Sequence, residues 1–286
     1  MSGPDLWTLA AQDWHWAAAP DLGAGATMTV YTLGVRRLGG AWPRTRTASF
    51  AAGLLIGLVA IQSGYDTEDT VLLSAHMVQH LLLLELAPVL LLAGRPVMLA
   101  LRAAPRDRRA RIVRGLNRLR RVTHPLTCLL VFSLIVGAAH LPAFYDATLR
   151  EPLLHDGEHA AFFAAGLLMW WPVLDGDPVA RHRLGGVARL SYVMAAMLPM
   201  TLIGAYLNRA TSVVYRPYIA PDHALGISAV SDQQHAGAIM WVIGSTAMIV
   251  VGIWQTMAAL LAEERRHQQA ERRADALAER SNRVST

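Results

Sequence analysis

The feature that most limits what this chain can fold into is a series of apolar runs, each about 18 to 24 residues long and nearly free of charge. That length carries an α-helix across roughly 30 Å of hydrocarbon, where a backbone group left unpaired has no water to turn to. Composition agrees, since 53% of the 286 residues are hydrophobic and mean hydropathy is +0.31, more apolar than soluble domains of this size. Alternating strand patterns are absent. We therefore expect an all-α fold, a polytopic membrane helix bundle.

Seven transmembrane helices are expected, at 17–36, 47–64, 71–93, 123–141, 155–174, 188–207 and 233–261. The first is interrupted by Pro20, Asp21 and nearby glycines and is the weakest of the seven. Charge in the connections sets the orientation, because short arginine-rich loops stay cytoplasmic. Loop one carries Arg36, Arg37, Arg44 and Arg46; loop three carries ten arginines from Arg95 to Arg121; loop five carries Arg181, Arg183 and Arg189. Loop two, Tyr65 to Asp69, has no basic residue, and loops four and six have only Arg150, and Arg209 with Arg216. The N-terminus is thus expected outside and the C-terminus in the cytoplasm. This divides the chain into an outer segment at 1–16, a helical domain at 17–261 and a charged tail at 262–286 that is either a solvated helix or disordered.

Several functions lose support on the same residues. The net charge of +5 lies in loops between apolar spans, so the arginines report topology and not a nucleic-acid surface. A single cysteine, Cys128, leaves neither a disulfide framework nor a C-x-x-C metal site. The start of the chain lacks the order of a cleavable signal peptide. Phosphate-loop, dinucleotide and G-x-S-x-G motifs are missing.

Histidines concentrate where the expected orientation puts the outer ends of helices. The third span opens with 75-AHMVQH-80, the fourth closes on His140, the fifth opens with 155-HDGEH-159, and the seventh opens with Asp232 and His235. Seven metal-capable side chains from four helices thus fall in one layer. Positions i and i+4 share a helix face, with Cβ atoms about 5–6 Å apart, so His76/His80 and His155/His159 can each hold one ion. Gln79 and Glu158 fall on the same faces, where they orient a ring or act as ligands. Glu85 is nine positions from His76, about half a turn away, and faces another helix. Polar groups inside a bilayer are costly and mark functional sites, and a cluster at one depth is what a metal site in a bundle requires. Imidazole suits copper, zinc, iron or nickel, and spacing does not choose among them. Met194, Met197 and Met200 on the sixth span would favour Cu(I) if they face the site, since thioethers select it over Zn(II). Pro88 and Pro199 are expected to kink their helices, and Trp170-Trp171 to anchor the fifth span at an interface.

The ordered motifs S-A-H-M-V-Q-H, H-L-P-A-F-Y-D, L-L-H-D-G-E-H followed by W-W-P, M-L-P-M-T-L-I-G and D-Q-Q-H-A-G-A-I-M-W resemble the CtaG family of cytochrome c oxidase assembly factors. The resemblance covers about residues 45 to 260. It implies a multi-pass protein of the bacterial cytoplasmic membrane that supports maturation of a haem-copper oxidase by binding copper at the outer half of the bundle. Delivery to oxidase subunits or other copper-handling proteins, or transport, would follow. The family's polar positions fall on His76, Gln79, His80, His140, His155, Glu158, His159, Asp232 and Gln233, and His235 departs from the family pattern. Two other classes compete. H-x-x-E-H is also the inverted zinc-peptidase signature, which would make a zinc-dependent membrane hydrolase, and histidines from two helices could ligate haem.

Overall fold

The computed structural model describes residues 11, 13–174, 184–221 and 226–285. Arg181 and Arg183 of loop five lie outside them. Among the described residues all regular structure is helical. In chain order the helices are α1 (Ala18–Arg37), α2 (Arg44–Gln62), the short α3 (Gly64–Glu68), α4 (Leu73–Leu81), α5 (Ala87–Ala93), α6 (Pro96–Ala103), α7 (Arg106–Leu119), α8 (Pro125–Ala139), α9 (Pro142–Thr148), α10 (Pro152–Trp170), α11 (Gly186–Arg209), α12 (Ala229–Ala238) and α13 (Ser245–Ser285). Two π-helical segments join helices end to end: Leu82–Leu86 between α4 and α5, and Ile239–Gly244 between α12 and α13.

Each of the seven expected spans falls on a helix or a π-joined pair of helices. Four helical stretches, Arg44–Thr67, Leu73–Ala103, Gly186–Arg209 and Ala229–Arg272, are long and apolar enough to cross a membrane. A fifth is reached if α8 and α9, bent by 76° at their junction, count as one. The bend has a local cause, since Pro142 has no N–H to continue the α8 ladder. His140 is left as the C-terminal cap of α8. α10 is 19 residues long, but the polar run from His155 to His159 lowers its mean hydropathy.

Helix α8 shows how the bundle buries itself. Cys128, Phe132, Val136 and Ala139 repeat at helical spacing and are buried, while Leu126, Leu130 and Leu134 on the opposite face are exposed. A helix apolar all round, with one face in the core and the other presenting leucine, is built for lipid. The main core joins α4, α5, α8, α10, α11 and both arms of the last helical pair. Close packing relies on missing side chains. Pro88 cannot donate to the carbonyl of Leu84, and Gly166 of α10 packs on that carbonyl so closely that a Cβ would collide with it. Gly204 and Gly237 likewise bring α11 and α12 backbone to backbone, as small residues do in membrane bundles. Trp170 is 1% exposed and belongs to this core, so the expectation of an interfacial anchor fails for it. Arg189 is also buried, donating to Val173 O at 2.9 Å and Leu184 O at 2.9 Å. The last helix runs on through the tail to Ser285, which selects the helical alternative for that segment.

Candidate metal centre

Five of the histidines expected to act together meet at one end of the bundle. His76 and His80 stand one turn apart at the start of α4, His155 and His159 one turn apart at the start of α10, and His140 ends α8. Ring centroids of His76 lie 5.4 Å from His155 and 6.0 Å from His159. Those of His80 lie 5.8 Å from His159 and 6.2 Å from His140. Nε2 of His76 and Nε2 of His80 are 2.6 Å apart. Two imidazole nitrogens at that distance are joined by one N–H···N hydrogen bond; an ion held by both would take its place, with the proton moving to Nδ1 of its own ring, and would spread the rings, since Zn–N or Cu–N bonds of ~2.0–2.1 Å need wider separation.

Unpaired atoms mark the same spot. Nδ1 of His76 and His80, Nε2 of His140 and His159, and both carboxyl oxygens of Glu158 are buried without a hydrogen-bond partner. Buried polar atoms in folded proteins are nearly always paired, so six such atoms in one cluster make a set of electron-pair donors suited to a cation. His140 is already fixed for this role, because its Nδ1–H donates to Val136 O at 2.8 Å and leaves the Nε2 lone pair free. Three overlapping groups bring ligand atoms within reach of one ion: His76, His80 and His159; Asp69, His155 and His159; and His76, His155 and Glu158.

Asp69 was not singled out by the sequence, where it reads only as part of an uncharged-to-acidic outer loop. It sits 3.3 Å from His155 Nε2 and its side chain is 1% exposed. Burial, followed by the neighbouring Asp66 carboxylate, pushes its carboxyl up to about 8. A bound cation reverses that balance. A tyrosine wall holds this loop. Tyr218 donates to Asp69 O at 2.7 Å, Tyr215 donates to His140 O at 3.0 Å, and the Tyr145 and Tyr218 hydroxyls meet at 3.1 Å. Tyrosines scattered over 70 positions of sequence gave no signal of this.

The remaining expected residues fall elsewhere. Asp232 accepts from the backbone N–H of Leu73 at 2.7 Å and of Ser74 at 3.4 Å, so it caps the first turn of α4 from a neighbouring helix. His235 is exposed and lines a surface cavity with Leu72, Ser74 and Ser231. Gln79 donates to Ala60 O at 2.9 Å and to Asp66 Oδ1 at 2.8 Å, tying α4 to α2 and to the acidic loop. Gln233 accepts from Val214 N at 2.7 Å and donates to Ser212 O at 3.2 Å. Met194 is 47% exposed, Met197 packs in the core, and the Met200 methyl lies beside Gly244 and Glu85. Glu158 moves the other way, from auxiliary to candidate ligand.

The sequence pattern of the cytochrome c oxidase caa3 assembly factor (Caa3_CtaG) matches residues 29–260. Among curated proteins, an uncharacterized protein of Mycobacterium leprae is 28% identical over 79% of this chain and 37% of its own length. Uncharacterized proteins of Mycobacterium bovis and Mycobacterium tuberculosis are each 27% identical over 80% of this chain and 36% of theirs. The chain therefore spans little more than a third of the length of these relatives. No solved structure matches.

Proposed function

The chain belongs to the cytochrome c oxidase caa3 assembly factor family, and from that premise we propose that it binds copper as cargo at the histidine cluster and passes it to a haem-copper oxidase during assembly. The observation that carries this reading is the cluster of five histidines, in which His76 and His80 meet at Nε2 and four rings keep a buried nitrogen without a partner. Imidazole nitrogens accept copper in either oxidation state, and an assembly factor must hold its metal and also release it. The three overlapping groups provide for that. An ion taken up by Asp69, His155 and His159 can reach His76, His80 and His159 by exchanging ligands while His159 stays bound. His155 is the less buried partner of its ion pair with Asp69, so the handover begins at the more open side. Entry into that second group breaks the hydrogen bond between His76 and His80, and its N–H proton shifts to Nδ1 of the same neutral ring.

The proposal includes the membrane arrangement: seven spans in the bacterial cytoplasmic membrane, N-terminus outside, C-terminus cytoplasmic, with the cluster toward the outer face. Arginine placement and the exposed leucine face of α8 support it. An assembly-factor family suggests a role other than an enzyme, so H-D-G-E-H is read as a ligand pair and not as a peptidase centre. The test is oxidase activity in a strain lacking the gene. Wild type is expected to restore it, and a His76→Ala/His80→Ala variant present at equal level is expected not to; full rescue by that variant refutes the reading.

A further inference from the structure

Among the described residues, Glu85 is a buried ionisable side chain that takes no part in the histidine cluster. Glu85 lies in the first π-helical segment, is 5% exposed, and its Oε1 has no hydrogen-bond partner. It lines a cavity of about 480 Å³ walled by Val78, Leu82, Val89, Ile239 and Val251. The second π-helical segment closes the opposite side. There Gly244 stands so near that a Cβ would come within 3.2 Å of Glu85 Oε1. The indole of Trp170 lines the same cavity, and its Nε1 is also buried without a partner. Paired π segments at one cavity are informative, because such bulges are rare and are frequently found at functional sites.

The chemistry of a fitting ligand follows from these groups. Among the described residues, no basic one lines the cavity. An ionised carboxylate against aliphatic walls with no cation is costly, so Glu85 serves as the neutral acid, whose O–H is a donor. The Trp170 N–H is a donor only. Both therefore call for an acceptor oxygen, and a phosphate head would bring a charge that nothing here offsets. Leu86 and Ile243 line the cavity while being 43% and 58% exposed, so its mouth opens on the lipid-facing side of the bundle. We propose that this cavity binds an isoprenoid quinone, with a ring carbonyl accepting from Glu85 and Trp170 and the tail leaving past Leu86 and Ile243. The inference rests on the bundle spanning a bilayer and is independent of the copper reading.

The test uses the full chain in nanodiscs of phosphatidylglycerol and phosphatidylethanolamine doped with menaquinone, with bound lipid extracted and quantified. Wild type is expected to retain menaquinone. Glu85→Leu is expected to weaken retention about tenfold or more, and Glu85→Gln, which keeps a donor, to stay within about threefold. Ala247→Phe, which fills the cavity without altering either donor, is expected to abolish retention and guards against a misfolded Glu85→Leu. Gel filtration and unfolding midpoints show which variants are folded. Absence of menaquinone from wild type, equal retention by wild type and Ala247→Phe, or phospholipid in its place overturns the proposal.

Discussion

Replacing Asp232 with asparagine or alanine separates a metal ligand from a structural cap at the same position. Its carboxylate receives the Leu73 N–H at 2.7 Å and the Ser74 N–H at 3.4 Å. A helix cap is worth about 1 kcal/mol, and charge assistance roughly doubles a hydrogen bond. Asparagine keeps one acceptor oxygen, so Asp232→Asn is expected to cost about 1 kcal/mol and Asp232→Ala about 2 kcal/mol. For a chain of this size that corresponds to an unfolding midpoint lower by about 2–4 °C per kcal/mol. His76 is the fourth residue of α4, so a looser first turn reaches it only indirectly. Copper affinity is expected to fall by less than about tenfold in Asp232→Asn, against about 100-fold or more for His76→Ala, the upper end of what loss of a supporting partner costs. Competition titration of copper alongside thermal unfolding reads both. The reasoning fails if Asp232→Asn loses copper as His76→Ala does while its unfolding midpoint stays unchanged.

Asp69 gives the apo protein a pH signature. Its carboxyl rises to about 8 from 3.8, so between those values the folded chain holds a proton that the unfolded chain releases, and stability falls as pH rises through that window. Unfolding midpoints measured from about pH 5 to about pH 8 should decline in wild type, decline less in Asp69→Asn, and recover with copper, which replaces the proton. Gly166→Ala drives a methyl into the Leu84 carbonyl and is expected to cost about 2–3 kcal/mol, whereas Gly137→Ala, with open space around it, should be neutral or stabilise by up to about 1 kcal/mol. Fusion reporters should place the 104–122 loop and the C-terminus in the cytoplasm and the 210–226 loop outside; an external C-terminus contradicts the assigned topology.

The helices and the histidine pairs were legible because both are local. Apolar runs of bilayer length write themselves into consecutive residues, and i,i+4 histidines share a face whatever surrounds the helix. The convergence of α4, α8 and α10 was legible only through topology, which put His76, His140 and His155 at one end. Long-range choices were not. Asp232 has the right type and depth for a ligand, but the unpaired backbone donors at the start of α4 claim it. Asp69 lies in a loop without helical periodicity, so nothing local pointed it at His155. The π segments left no trace in the apolar pattern, and they decide where Glu85 faces.

The most direct test is element-resolved metal analysis of purified full-length chain loaded with copper and washed, compared with the His76→Ala/His155→Ala variant. Together those two residues enter all three ligand groups. The account predicts about one or more copper ions per wild-type chain and less than about a tenth of that in the variant. Equal copper in the two proteins, with both folded, contradicts it.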